Sequence, residues 1–238
     1  MSDHTVKAYD EELAALKQMV AQMGGLAEEQ LAHAIEAISK RDTKLADIVI
    51  AADDQIDSLE HQIEEKAILT IAKRQPMAKD LREIMVTIRM AADLERIGDL
   101  AKNTAKRTHA ISEQLPRNLV SGLTRMGKLA QEQLKNILDA YAQNDADKAM
   151  EVWRADEDID ALYNSIFREL LTYMMEDARM IGPCTHLLFG SKNMERIGDH
   201  TTSIAENIYF LVHGRLIAEE RPKKDSTSTT SYTPKTRA

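Results

Sequence analysis

Carboxylates recur in this chain at a spacing that can do chemistry. "LERIGD" runs from Leu94 to Asp99 and "MERIGD" from Met194 to Asp199, pairing Glu95 with Asp99 and Glu195 with Asp199. Two more pairs, Asp53 with Asp57 and Asp156 with Asp160, lie in "ADDQIDSLEHQI" and "ADEDIDALYNSI". On a helix the i, i+4 spacing stacks both carboxylates on one face. Like charges held that way repel, and burial adds to the cost, so each pair needs Lys or Arg, protonation or a bound cation. Four carboxylates from two adjacent helices make an oxygen-rich site suited to Fe, Mn, Mg or Ca. One such pair alone would read as a solvated or salt-bridged acidic face. Four pairs at matching places in two halves favour metal or another charge-linked role.

The elements that must position these pairs are helices. Aromatic residues make up only 4%, with 9 Gly and 5 Pro, while residues that lose little side-chain freedom in a helix abound. Apolar periodicity predicts six helices, at about 6–39, 44–74, 77–111, 118–143, 146–180 and 184–218. "SKRDTK" supplies a polar break with an N-cap candidate, and Pro76 and Pro183 suit first helical turns. Gly24-Gly25, inside the first helix, marks a kink or close packing. The segment starting at Ala52 returns at Ala155, 103 residues on, and Glu95 returns as Glu195, 100 residues on. Two blocks repeated in the same order indicate duplication of a three-helix unit. The expected fold is all-α: two tandem antiparallel three-helix bundles, at 1–112 and 113–220, joined through "SEQLPRN". A disordered polar tail is expected over 221–238.

In the third helix Leu81, Ile84, Ile88 and Ala92 read as a buried stripe, with Glu95 and Asp99 within about 40° of the Leu81 direction. Leu188, Glu195 and Asp199 repeat the arrangement, while Asp53 and Asp57 flank the stripe of Ala52, Ile56, Leu59 and Ile63. Arg96 and Arg196 project about 100° from their glutamates and are poor direct partners. Gly98 and Gly198 each cost roughly 1 kcal/mol relative to Ala, for close packing or for ligand room. The methionines, Trp153 (aligned with Ile50) and Cys184 read as packing residues.

Several functions are disfavoured. A net charge of −8 does not suit nucleic-acid binding. One cysteine forms no internal disulfide, the start carries no signal-peptide pattern, and no apolar run reaches the roughly 18 residues of a membrane span. A cytoplasmic protein is expected. No nucleophile elbow, P-loop or glycine-rich phosphate cradle is present, so no enzymatic activity is expected. A ferritin-like di-metal oxidase or storage protein is the alternative, but none of the 7 His follows Glu by three positions as that class requires. A helical scaffold without metal is the other.

"RQP" (Arg74 to Pro76), "DLR" (Asp80 to Arg82), "DLERIGD" and "KNMERIGDHTTSIAEN" together resemble the PhoU family, regulatory proteins associated with phosphate-specific transport systems. The resemblance implies two three-helix bundles, each with a metal centre held by acidic motifs. By position that role falls on Asp53, Asp57, Glu95 and Asp99, and on Asp156, Asp160, Glu195 and Asp199. Iron is the first expectation, with manganese, zinc or magnesium as alternatives. The resemblance also implies negative regulation of the phosphate-starvation response and of phosphate uptake. It implies a homodimer acting as adaptor between the ATP-binding subunit of a phosphate ABC transporter and a sensor histidine kinase, at the membrane only through those partners. The chain departs from the family pattern at Ser203, where Asn is usual, and at Lys106, where Glu is usual, so the two sites are expected to differ.

Overall fold

The computed structural model describes residues 2–111 and 117–219, with side chains over 9–111 and 119–219; the expected tail and residues 112–116 of the expected connector lie outside those ranges. Among the described residues there are six long helices: α1 (Ser2–Lys40), α2 (Thr43–Arg74), α3 (Lys79–Arg107), α4 (Arg117–Gln143), α5 (Ala146–Glu176) and α6 (Ile181–His213). The all-α expectation holds. No described helix is long and apolar enough to cross a membrane.

The helix ends follow from local chemistry. Asp42 caps α2 by accepting from the Lys44 and Leu45 amides at 3.0 Å, and Asp145, 103 residues later, caps α5 through Lys148 N at 2.9 Å. Sequence placed Pro76 in a first turn, but the link between α2 and α3 is longer than that. Gln75 and Ala78 both have φ of 48°, which ends α2 and delays α3 until Lys79. Pro183 does fall in the first turn of α6. That helix stops at His213 rather than near 218, because Gly214 turns left-handed at φ 71°. α1 runs unbroken through Gly24-Gly25, and a Cβ on Gly24 would lie 2.5 Å from Leu138 Cδ2. That glycine serves close packing of α1 on α4.

Helices α1 to α3 pack on one another, as do α4 to α6, and the halves join through α3 on α6 and α1 on α4. α3 and α6 run antiparallel, with polar contacts along the seam. Asp93 meets His200 at 3.0 Å, Asn193 donates to Thr104 Oγ1 at 3.2 Å, and Ser203 donates to Asp93 Oδ2 at 2.8 Å. The buried apolar residues of all six helices form one cluster, so the repeats share a core. Leu94, fully buried on α3, belongs to it, as does Trp153 on α5.

A shared core predicts coupled unfolding. Leu94→Ala, by cavity formation in the first repeat, should cost about 2–5 kcal/mol. Trp153 fluorescence, which reports the second repeat, should show the same lowered urea midpoint as far-UV circular dichroism. An unchanged fluorescence midpoint would mean the halves unfold separately.

Candidate carboxylate site

In the first half the depth of the acids reverses the expected order. Leu81 and Ala92 are exposed, and the buried line of α3 runs through Ile84, Met90, Ala91, Leu94, Ile97 and Ala101. The apolar spacing was real but lay on a flank, because α3 is covered by α1, α2 and α6 together. Glu95 and Asp99 therefore stand at the rim, their side chains 16% and 32% exposed. Asp53 is the deep acid, at 2%, on the buried line of α2 between Val49 and Ile56. In the second half Asp156, Asp160 and Glu195 are all buried, at 1%, 2% and 4%, and Asp199 is half-buried.

The first cluster is neutralised from inside the chain. Gln30 Nε2 on α1 donates to Asp53 Oδ1 at 2.9 Å. Lys102 Nζ bonds the other Asp53 oxygen and also pairs with Asp99 Oδ1 at 2.7 Å. Arg96, largely exposed, bends back to Glu95 and Asp99 only at 3.4 and 3.8 Å. Burial lowers the Lys102 ammonium pKa, but its bonds to Asp53 and Asp99 outweigh that and hold it well above the usual lysine range. Burial, then the charge of Asp53, pushes the Asp57 carboxyl up. Glu95 is raised by burial and by Asp99 against the opposing charge of Arg96. Glu60 on α2 is also raised, by burial first, with Glu64 and Asp57 adding to it against His61 and Arg96; it is a fifth acid at this edge.

The second cluster uses different groups. Lys192 Nζ pairs with Glu195 Oε1 at 2.8 Å and lies 5.0 Å from the Tyr163 ring centroid. The position matching Lys102 is Thr202, whose hydroxyl donates to the Asp199 carbonyl at 2.7 Å. Gln133, matching Gln30, accepts from Thr201 at 3.5 Å. A Cβ on Gly198 would collide with Asp156 Oδ1, so the missing side chain is what lets that aspartate lie against α6. The departures from the family pattern have local counterparts: Ser203 donates to Asp93 across the α3–α6 seam, and Lys106 stands where Glu206 stands in the second half. Glu206 accepts from Trp153 Nε1 at 3.1 Å, whereas the first half has Ile50 and Lys106 at those places and no indole to serve.

Hard-cation chemistry suits the oxygen donors of both clusters. Among the described residues, however, no three His, Cys, Asp or Glu side chains are gathered as a ready metal cage. With Lys102 between Asp53 and Asp99, the first set does not fit a metal as it stands. The second set, with three buried carboxylates and Asp156 lying against Gly198, fits in donor type and burial. Sequence reasoning missed Gln30, Glu60, Lys102 and Lys192. Two signals were available: Lys102 falls three residues after Asp99 and seven after Glu95, on the same helix face, and Gln30 returns as Gln133 at the repeat interval.

Comparison with known proteins gives a consistent result. The PhoU domain model matches residues 20–108 and again 123–208. A phosphate-specific transport system accessory protein PhoU homolog of Rhizobium meliloti is 56% identical over 227 residues, covering 95% of this chain and 96% of that protein. The Escherichia coli phosphate-specific transport system accessory protein PhoU is 38% identical over 215 residues, 90% of this chain and 89% of its own. The crystal structure of PhoU from Pseudomonas aeruginosa superposes with a TM-score of 0.82 at 37% identity, covering 87% of this chain and 100% of that one. The phosphate transport system regulatory protein PhoU from Streptococcus pneumoniae gives 0.82 at 30% identity, covering 89% and 100%.

The two motif glycines should respond differently to substitution. Gly98→Ala meets Ile56 Cδ1, the movable end of a side chain, at 2.9 Å, and gains helix propensity. Its stability should change by no more than about 1 kcal/mol. Gly198→Ala forces a buried carboxylate aside and should cost about 1–3 kcal/mol. Urea denaturation of both variants checks the order; equal effects would mean Asp156 is not held where the structure puts it.

Proposed function

Because the chain belongs to the PhoU domain family, a phosphate-transport accessory family, we propose that it is a negative regulator of the phosphate-starvation response and of phosphate uptake. It acts in the cytoplasm as a helical adaptor, a homodimer, between the ATP-binding subunit of a phosphate ABC transporter and a sensor histidine kinase. The observation that carries this reading is similarity along nearly the whole chain to phosphate-transport accessory proteins. The all-helical frame with one shared core supports it, since a rigid body can present separate faces to two partners. Metal binding at the carboxylate clusters, iron first, is part of the proposal. It is supported by buried oxygen donors on α5 and α6. The chain's own contribution there is to hold Asp156, Asp160 and Glu195 inside the bundle, where a cation would offset their repulsion. No catalytic role is proposed.

Deleting the gene in its host should derepress a phosphate-starvation reporter in phosphate-replete medium, and plasmid-borne protein should restore repression. Cross-linking in the same cells should capture the transporter's ATP-binding subunit and the kinase. A reporter that stays repressed in the deletion strain would remove the regulatory reading.

A further inference from the structure

We propose that Lys102 is a built-in counter-cation that closes the first carboxylate cluster to metal. The inference rests on the metal reading above only for the second cluster. Lys102 is fixed by its register on α3. Seven residues after Glu95, it points within about 20° of that glutamate, and it is three residues past Asp99. From there its ammonium joins Asp53 of α2 to Asp99 of α3, and the side chain is only 20% exposed. Gln30 reaches the same aspartate from α1, so Asp53 is satisfied by two helices besides its own. An incoming cation would have to displace the ammonium from both carboxylates, and the freed charge would then repel it at close range.

The second half does not repeat Lys102. Thr202 occupies the matching position, and its hydroxyl bonds its own helix. Lys192 approaches from the other side of Glu195, at a position where the first half has Ala92. Its side chain is 38% exposed, against 20% for Lys102. The first repeat thus carries its cation in its sequence, at a place that the second repeat gives to Thr202.

The test is metal content of tag-free protein after Mn(II) loading and gel filtration, measured by elemental analysis. Wild type is expected to keep its Mn(II) in the double variant Asp53→Asn, Glu95→Gln and to lose it in Asp156→Asn, Glu195→Gln. Lys102→Thr, which copies the second half, should add Mn(II) beyond the wild-type content. Adding Asp53→Asn and Glu95→Gln should remove that increment. Lys102→Met, of similar length without charge, serves if the threonine variant fails to fold. A wild type without Mn(II) beside a Lys102→Thr that gains it would refute the second-cluster reading and support the role of Lys102. Loss of wild-type Mn(II) on changing Asp53 and Glu95, or no gain in either Lys102 variant, overturns the proposal.

Discussion

A carboxylate inside a helical bundle must meet a positive charge or hydrogen-bond donors, because desolvation disfavours its ionised form. Asp53 is where this constraint binds hardest in the first repeat. The amide of Gln30 and the ammonium of Lys102 answer it, so a single acid ties α2 to α1 and to α3. Asp57 and Glu95 stand further out, and burial first, with neighbouring carboxylates adding to it, raises their carboxyl pKa values. Since a carboxyl whose pKa is raised by folding favours the protonated form in the folded state, these two groups oppose folding at neutral pH. That opposition fades as pH falls through their folded values.

The repeats keep the same frame and change the charges in it. Asp42 and Asp145 cap matching helices, Gln30 and Gln133 enter at matching depth, and Gly98 and Gly198 open matching gaps. Against that frame Lys102 stands opposite Thr202, Ala92 opposite Lys192, and Glu60 opposite Tyr163. Duplication supplies the frame twice, and substitution lets the two carboxylate clusters be satisfied differently. The polar seam of α3 on α6, where Asp93 takes both His200 and Ser203, joins the motif helices of the two halves directly.

The six helices and the repeat were legible because periodicity, caps and the return of whole segments are properties of the chain itself. The depth of the acids was not. Ile84, Ile88 and Ala92 do recur at helical spacing, but which flank of α3 is buried depends on where α1, α2 and α6 lie, and no single helix encodes that. The start of α3 was misplaced for a local reason: Gln75 and Ala78 adopt positive φ without being glycine, a conformation that residue type does not announce. The counter-ions were missed because the carboxylates drew attention to i, i+4 pairs, whereas the lysines sit three residues away, after Asp99 in one half and before Glu195 in the other. Gln30 lies 23 residues from Asp53 on another helix, and only the fold brings them together.

The ammonium of Lys102, held between Asp53 and Asp99, is the feature that most sets the first cluster apart. The most direct measurement is a crystal structure of Mn(II)- or Fe-loaded protein with anomalous data collected at the metal edge. Anomalous density should appear among Asp156, Asp160, Glu195 and Asp199, with Lys102 still bridging Asp53 and Asp99. A metal peak between Asp53 and Asp99, with Lys102 swung into solvent, would contradict it.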